Sequence, residues 1–221
     1  ITLQFLNQQY KDNKRHNRQY YKPMKRYVDY LASQDSCYIL RMGLGDWYDY
    51  GPWRAGFARN TPMPLVSTAH YYWWNHLMGE ARADSIREAF NREFYNPQTH
   101  RYASGSQCAQ AIALCMNLVP DGDRQAVFDQ LVADIHQHGD RLTTGDIGNR
   151  YLFKALIDGG QRELLYRMLN HDEVPGYGYQ IKQGMTTLTE QWNPKHGASM
   201  NHFMMAHIEN FLIPDLLGIQ R

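Results

Sequence analysis

Apolar residues recur along the chain at three- and four-residue intervals, the spacing of one helix face, and few stretches alternate as strands do. Residues 20–31 place Met24, Tyr27, Val28 and Leu31 on one stripe, with Pro23 tolerable in a first turn. Further helices are predicted over 65–78, over 85–95 with Ile86, Phe90 and Phe94 four apart, and over a nearly all-apolar 107–118 ended by Pro120. Residues 124–138 follow, with Val127, Phe128, Leu131, Val132 and Ile135 on one stripe and Gly139 as the stop. A pair over 149–157 and 161–169 is broken by Gly159-Gly160, and a last helix is predicted over 199–216, capped by Ser199 or Asn201. Between them lie glycine-rich, aromatic turns at 43–53, 142–148 and 175–192. The pattern predicts an all-α fold, a toroid of αα-hairpins whose long loops gather at one mouth. No fixed repeat and no composition break appears, so residues 1–221 are read as a single domain.

Charge narrows the possible partners. A net charge of +1 and a pI near 7.9 argue against a dedicated nucleic-acid or polybasic membrane binder. The basic stretch from Lys11 to Arg26 reads as a solvated helix face. No apolar run approaches the roughly 18 to 20 residues a membrane helix needs. Of the three cysteines, Cys108 and Cys115 lie on one face of an apolar helix and read as small core residues. The chain opens at Ile1 without a signal-like segment, so a processed or cut product is expected.

Aromatic residues reach 13%, with 16 Tyr and 5 Trp, enough to line a cleft that stacks on ring-shaped ligands. In the turn Gly45-Asp46-Trp47-Tyr48-Asp49-Tyr50-Gly51-Pro52, two carboxylates stand among aromatic rings. A sugar site uses that mixture, a ring platform for C–H faces and carboxylates for hydroxyls. Aspartates in such turns also bond backbone amides, and the residues alone leave both readings open. In Thr186-Thr187-Leu188-Thr189-Glu190-Gln191-Trp192, one acid between threonines and an indole suits a general base held by hydroxyls, or a capping glutamate. His196, His202 and His207 crowd the C-terminal region, but the i, i+5 spacing of the last two takes them off a common helix face. No metal or cofactor is expected. Phosphate-loop, dinucleotide and nucleophile-elbow signatures are missing.

Through these motifs the chain resembles the catalytic domain of bacterial α-L-rhamnosidases, inverting glycoside hydrolases built on an (α/α)6 barrel. The resemblance runs through YKPMKRYVDYL, GLGDWYDYGP, TPMPLVSTAHYYWW, IREAFNREFY, Ser106-Gln107, NLVP, LTTGDIGNRYLF, MTTLTEQW and SMNH followed by LLGI. It implies Glu190 as general base, Trp47 as an aromatic lining the sugar pocket, and His202 as a substrate contact, with Asp46 and Trp192 adjoining them. Terminal α-L-rhamnosides are the implied substrate, and a periplasmic or secreted location is the family-based expectation. The family's general acid lies in a DERxGWxGD-type motif that nothing here matches, so the acid is expected upstream of this chain. The family fits two full helices where residues 71–90 run, so a truncated helix or missing residues near Gly79-Glu80 are expected, and with them an incomplete barrel exposing the stripes of Phe90, Phe94 and Leu131. The acids left within the chain, Asp46 and Asp49, are expected to be ionised in a polar turn. Two alternatives accompany this reading: a related α/α-barrel glycosidase or lyase on another sugar, and a non-catalytic rhamnose-binding module. A helical interaction scaffold is the weakest, because polar and aromatic loops gather at the mouth.

Overall fold

The computed structural model describes residues 14–219 apart from 55, 197, 198 and 204. Helix α1 (Lys14–Gln34) is followed by α2 (Met63–Met78) and α3 (Arg82–Phe94). After a short hairpin of β1 (Tyr95–Asn96) and β2 (Arg101–Tyr102) come α4 (Gln107–Cys115), α5 (Arg124–Gln137), α6 (Asp146–Asp158) and α7 (Arg162–Leu169). Short α8 (Tyr177–Lys182) precedes a final helical run, a 3-10 turn at Ala206–Ile208 leading into α9 (Glu209–Phe211) and a π turn at Leu212–Leu216.

The pairs α2–α3, α4–α5 and α6–α7 are consecutive αα-hairpins, and α2, α4 and α6 form the inner row. Burial explains the order. Every residue of α4 from Gln107 to Leu114 is buried, so it can only be central, with α5 on one side and α6 on the other. Outer helix α5 buries one stripe, Val127, Leu131 and Ile135, at four-residue steps. Outer helix α3 does the same with Ala83, Ile86 and Phe90. The expected all-α hairpin architecture is the observed one, and Cys108 lies in its core.

Five expectations need correction. Helix α1 starts earlier than residue 20, which puts Pro23 inside it rather than in its first turn. The α2–α3 hairpin is closed, not truncated: it runs from Met63 to Phe94, beyond the 71–90 window, and Gly79 in the left-handed conformation (φ 68°) ends α2 in a turn of three residues. Phe90 and Leu131 are fully buried and Phe94 packs edge-on to Phe90, so these stripes are covered. Within the loop read over 175–192, residues 177–182 form α8, and Gly176 and Gly178, where a Cβ would stand 2.6 Å from the His171 carbonyl oxygen, break the apolar spacing that would have marked it. Lastly, residues 199–203 are not helical, and neither Ser199 nor Asn201 caps a helix. Their backbone is committed elsewhere: Glu190 N–H donates to the Ser199 carbonyl at 3.0 Å and His202 N–H to the Leu188 carbonyl at 2.9 Å.

Candidate active site

The three aromatic turns meet at the N-terminal end of α6. The Asp146 N–H donates to the Trp47 carbonyl (2.9 Å), the Tyr50 N–H to the Thr143 carbonyl (3.1 Å), and the Trp192 indole N–H to the Thr144 carbonyl (3.1 Å). Glycine permits this approach. A Cβ on Gly145 would stand 2.1 Å from the Trp47 carbonyl oxygen, and one on Gly148 2.6 Å from the Asp46 carboxylate. Loop 43–53 is thereby pressed onto the mouth of the inner helices.

Glu190 is half-buried, and its Oε2 accepts the Ser199 N–H at 3.0 Å. The neighbouring threonines do not hold it: Thr187 donates to the Met200 carbonyl and Thr189 to the Gln191 carbonyl. They shape the loop instead, so the expected hydroxyl cradle is replaced by a backbone amide. Trp47 and His202 are likewise half-buried. Tyr48 links Trp47 to the glutamate. Its ring meets Trp47 edge-on at 5.6 Å, and its phenol is raised first by burial and then by the charge of Glu190. Its backbone sits at φ 61°, a left-handed conformation that side chains rarely adopt, held by a hydrogen bond to the Gly56 carbonyl.

Asp46 and Trp192 lie behind this surface. The Asp46 carboxylate is fully buried and accepts the Gly145 N–H (2.9 Å) and the Gly148 N–H (2.7 Å), two of the unpaired donors at the start of α6. Of the readings left open for it, the backbone-bonding one is observed, and direct contact with a ligand in the cleft is excluded by burial. Burial also pushes its carboxyl up to about 7 in spite of those two hydrogen bonds, with Asp146 and Asp49 adding to the rise. Asp49 is raised as well, mainly by burial, while its Oδ2 takes the Arg59 and Asn60 N–H groups. The expected polar turn is therefore enclosed instead, and burial acts against ionisation of both acids, most strongly at Asp46. Trp192 is buried edge-on against Tyr177 at 5.2 Å, and its indole N–H is already spent on Thr144.

Asp146 was not among the candidates that its sequence motif suggested. It opens α6, its Oδ1 accepts the Ile147 N–H at 2.9 Å, and its carboxyl is pushed up to about 6 by burial, opposed first by that hydrogen bond and last by nearby His202. An aspartate directly after Gly145 in a turn that starts a helix was the available signal. His207 lies apart on the 3-10 turn at Ala206–Ile208, lowered to about 4 by burial and Arg150. Among the described residues, no three His, Cys, Asp or Glu side chains converge as a metal ion would need.

The candidate site thus consists of a half-buried glutamate, an indole, an imidazole and a partly buried aspartate, on loops tied by backbone hydrogen bonds and by the Trp192 indole. Comparison with known proteins gives this arrangement a lineage. The profile of the bacterial alpha-L-rhamnosidase six-hairpin glycosidase domain matches residues 4–216. An alpha-L-rhamnosidase of Streptomyces avermitilis is 29% identical over 199 residues, which is 80% of this chain and 18% of that protein. One from Formosa agariphila is 28% identical over 233 residues, 91% of this chain and 24% of its own length. The crystal structure of the Streptomyces avermitilis alpha-L-rhamnosidase complexed with L-rhamnose superposes with a TM-score of 0.77 at 27% identity, covering 88% of this chain and 20% of that one. The alpha-L-rhamnosidase from Dictyoglumus thermophilum gives 0.78 at 29% identity, covering 90% and 25%. The chain spans less than a quarter of the length of these two curated relatives. With its inner and outer helices, its three-loop mouth and this breadth of match, the chain belongs to the bacterial alpha-L-rhamnosidase six-hairpin glycosidase domain family.

Proposed function

We propose that the protein carrying this chain hydrolyses terminal α-L-rhamnosides with inversion, and that residues 1–221 are a single, partial α/α-barrel unit of its catalytic domain. The observation that carries the reading is Glu190. It is half-buried, anchored through one oxygen by the Ser199 amide, and set on a loop bonded to the turn that bears His202. An anchored carboxylate keeps one oxygen oriented by the chain while the other takes a proton from water. The water attacks the anomeric carbon as a carboxylic acid on the opposite face, about 6.5 to 9.5 Å away, protonates the departing oxygen. Trp47 and His202 hold the sugar so that water stands behind the anomeric carbon.

Asp46 has the raised carboxyl a proton donor needs, but full burial withholds it from substrate. We assign the donor to an acid outside these 221 residues, in keeping with the DERxGWxGD-type motif of the family. The substrate class rests on the family and on the relative solved with L-rhamnose.

Turnover of an aryl α-L-rhamnoside by the full-length protein, followed by proton NMR, tests the scheme. The first sugar formed should be the β anomer, and Glu190→Gln should lower kcat by at least about a hundredfold while retaining L-rhamnose binding. A first-formed α anomer overturns inversion, and near-normal turnover in the variant removes Glu190 as the base. Binding without turnover in the unmodified protein would instead favour a rhamnose-binding module.

A further inference from the structure

The connection from α5 to α6 and the one that follows α7 enclose a second pocket, of about 310 Å³, lined by Gly139, Asp140, Tyr166, Arg167, Asn170 and His171. That volume lies at the lower end of those that hold small ligands. None of the six residues belongs to the candidate active site, yet the pocket sits at the same end of the barrel. Outer helices α5 and α7 end here, and inner helix α6 begins here. Arg141 ties the two connections together, donating to the Glu173 carboxylate and to the Val174 carbonyl (3.4 Å). Gly145, whose α-carbon abuts the Trp47 backbone, is five residues on from Asp140, so chain reach alone keeps the two within about 18 Å.

The lining suits a neutral ring rich in hydroxyls. Tyr166 is half exposed and offers a flat face for the C–H side of a sugar. Gly139 (φ 67°) and Asp140 (φ 56°) both take the left-handed conformation, which turns the Asp140 carboxylate back onto the helices. Its Oδ1 lies 2.6 Å from His136 Nδ1, and its Oδ2 accepts from Arg167 at 3.2 Å. The carboxylate and the guanidinium of the pocket thus cancel, leaving no excess charge to draw an ion. The C-terminal ends of α5 and α7, with their partial negative charge, further disfavour an anion. Carboxylate lone pairs remain for hydroxyl donors. The Asn170 amide and the His171 ring make no side-chain hydrogen bond among the described residues, and they supply both donors and acceptors. We propose that this pocket is a second carbohydrate site, which takes a neutral sugar of a glycan, other than the sugar being cleaved, and so tethers the glycan to the barrel. Tethering raises the effective concentration of the scissile unit at the candidate active site without any new contact there. The tether rests on the rhamnosidase reading above, whereas the binding site stands apart from it.

The test uses the full-length protein and its variants Tyr166→Ala, Tyr166→Phe and Asn170→Ala. Saturation-transfer NMR with D-glucose, D-galactose and L-rhamnose in turn reads binding. At least one sugar should receive a signal from the parent that falls by at least about threefold in Tyr166→Ala and persists in Tyr166→Phe. Sodium sulfate should leave that signal unchanged. The lack of such a signal for all three sugars, or its displacement by sulfate, would overturn the site. Kinetics then read the tether. On a soluble polysaccharide bearing terminal α-L-rhamnose branches, Tyr166→Ala and Asn170→Ala should raise KM by about three- to tenfold with kcat unchanged. On 4-nitrophenyl α-L-rhamnoside, too short to reach a second site, both should stay within about twofold of the parent. An unchanged KM on the polysaccharide, or an equal loss on the aryl substrate, would overturn the tether. Melting temperatures should match the parent, since Tyr166 and Asn170 are exposed. If the parent cleaves neither substrate, the rhamnosidase reading fails and the tether with it, while the NMR titrations still decide the binding site.

Discussion

Asp46 shows how one residue can look like a ligand contact and act as a strut. Its two carboxylate oxygens take the Gly145 and Gly148 amides, joining the turn at 43–53 to the first turn of α6. Burial raises its folded pKa from 3.8 to about 7. For a raised folded pKa, the stabilising contribution is complete below the unfolded value and is lost as pH climbs through the folded one. Urea unfolding of the parent should thus show stability falling between about pH 4 and pH 7, a component that Asp46→Asn removes. The same variant should be less stable near pH 5 by about 1 to 3 kcal/mol, because its amide NH2 must face a backbone N–H. Equal pH slopes for parent and variant would refute the role.

At the scale of elements, the site depends on how closely a loop can approach a helix end. Gly145 precedes α6 with its α-carbon against the Trp47 backbone, where a methyl group would collide with a carbonyl that is itself hydrogen-bonded to Asp146. Neither partner can give way without breaking that bond. Gly145→Ala should cost about 1 to 3 kcal/mol by overpacking. It should also weaken L-rhamnose binding in the full-length protein, because Trp47 moves with its loop. Calorimetric titration with L-rhamnose checks this, and unchanged affinity with an unchanged melting temperature would contradict the packing argument. The 199–203 turn follows the same logic. Its N–H and C=O groups cross to residues 188–190 instead of winding into the helix that its composition suggested, and this crossing supplies the amide that anchors Glu190.

For the molecule as a whole, three hairpins of an α/α barrel carry Glu190, the proposed base, with Trp47 and His202, while the proposed donor is assigned elsewhere. Inverting hydrolysis needs both carboxyl groups, so the 221 residues by themselves are expected not to turn over an aryl α-L-rhamnoside. Buried Phe90 and Leu131 and the closed α2–α3 hairpin argue that these residues have a core of their own, with burial continuous across α2, α4 and α6. Assay of the purified chain decides the matter. Turnover comparable to the full-length protein, lost in Asp146→Asn, would place the donor within this chain, at the aspartate whose carboxyl is already pushed up to about 6.

The sequence by itself determined the helical class, the hairpin order and the family, because a stripe repeating every three to four residues survives any arrangement of its neighbours. Buried stripes such as Val127, Leu131 and Ile135 were legible for that reason. It also offered Glu190, Trp47 and His202 as candidates, through motifs held within short stretches of chain. Only the tertiary structure decided that Asp46 and Trp192 face inward, that Asp146 stands beside Trp47 and His202, and that residues 199–203 are not helical. Each of these turns on a hydrogen bond between distant segments: Asp46 with Gly145, Trp192 with Thr144, Asp146 with Trp47, and Glu190 with Ser199. Local periodicity carries no information about such partners. A buried carboxylate and an exposed one are spelled alike until the chain that covers them is in place.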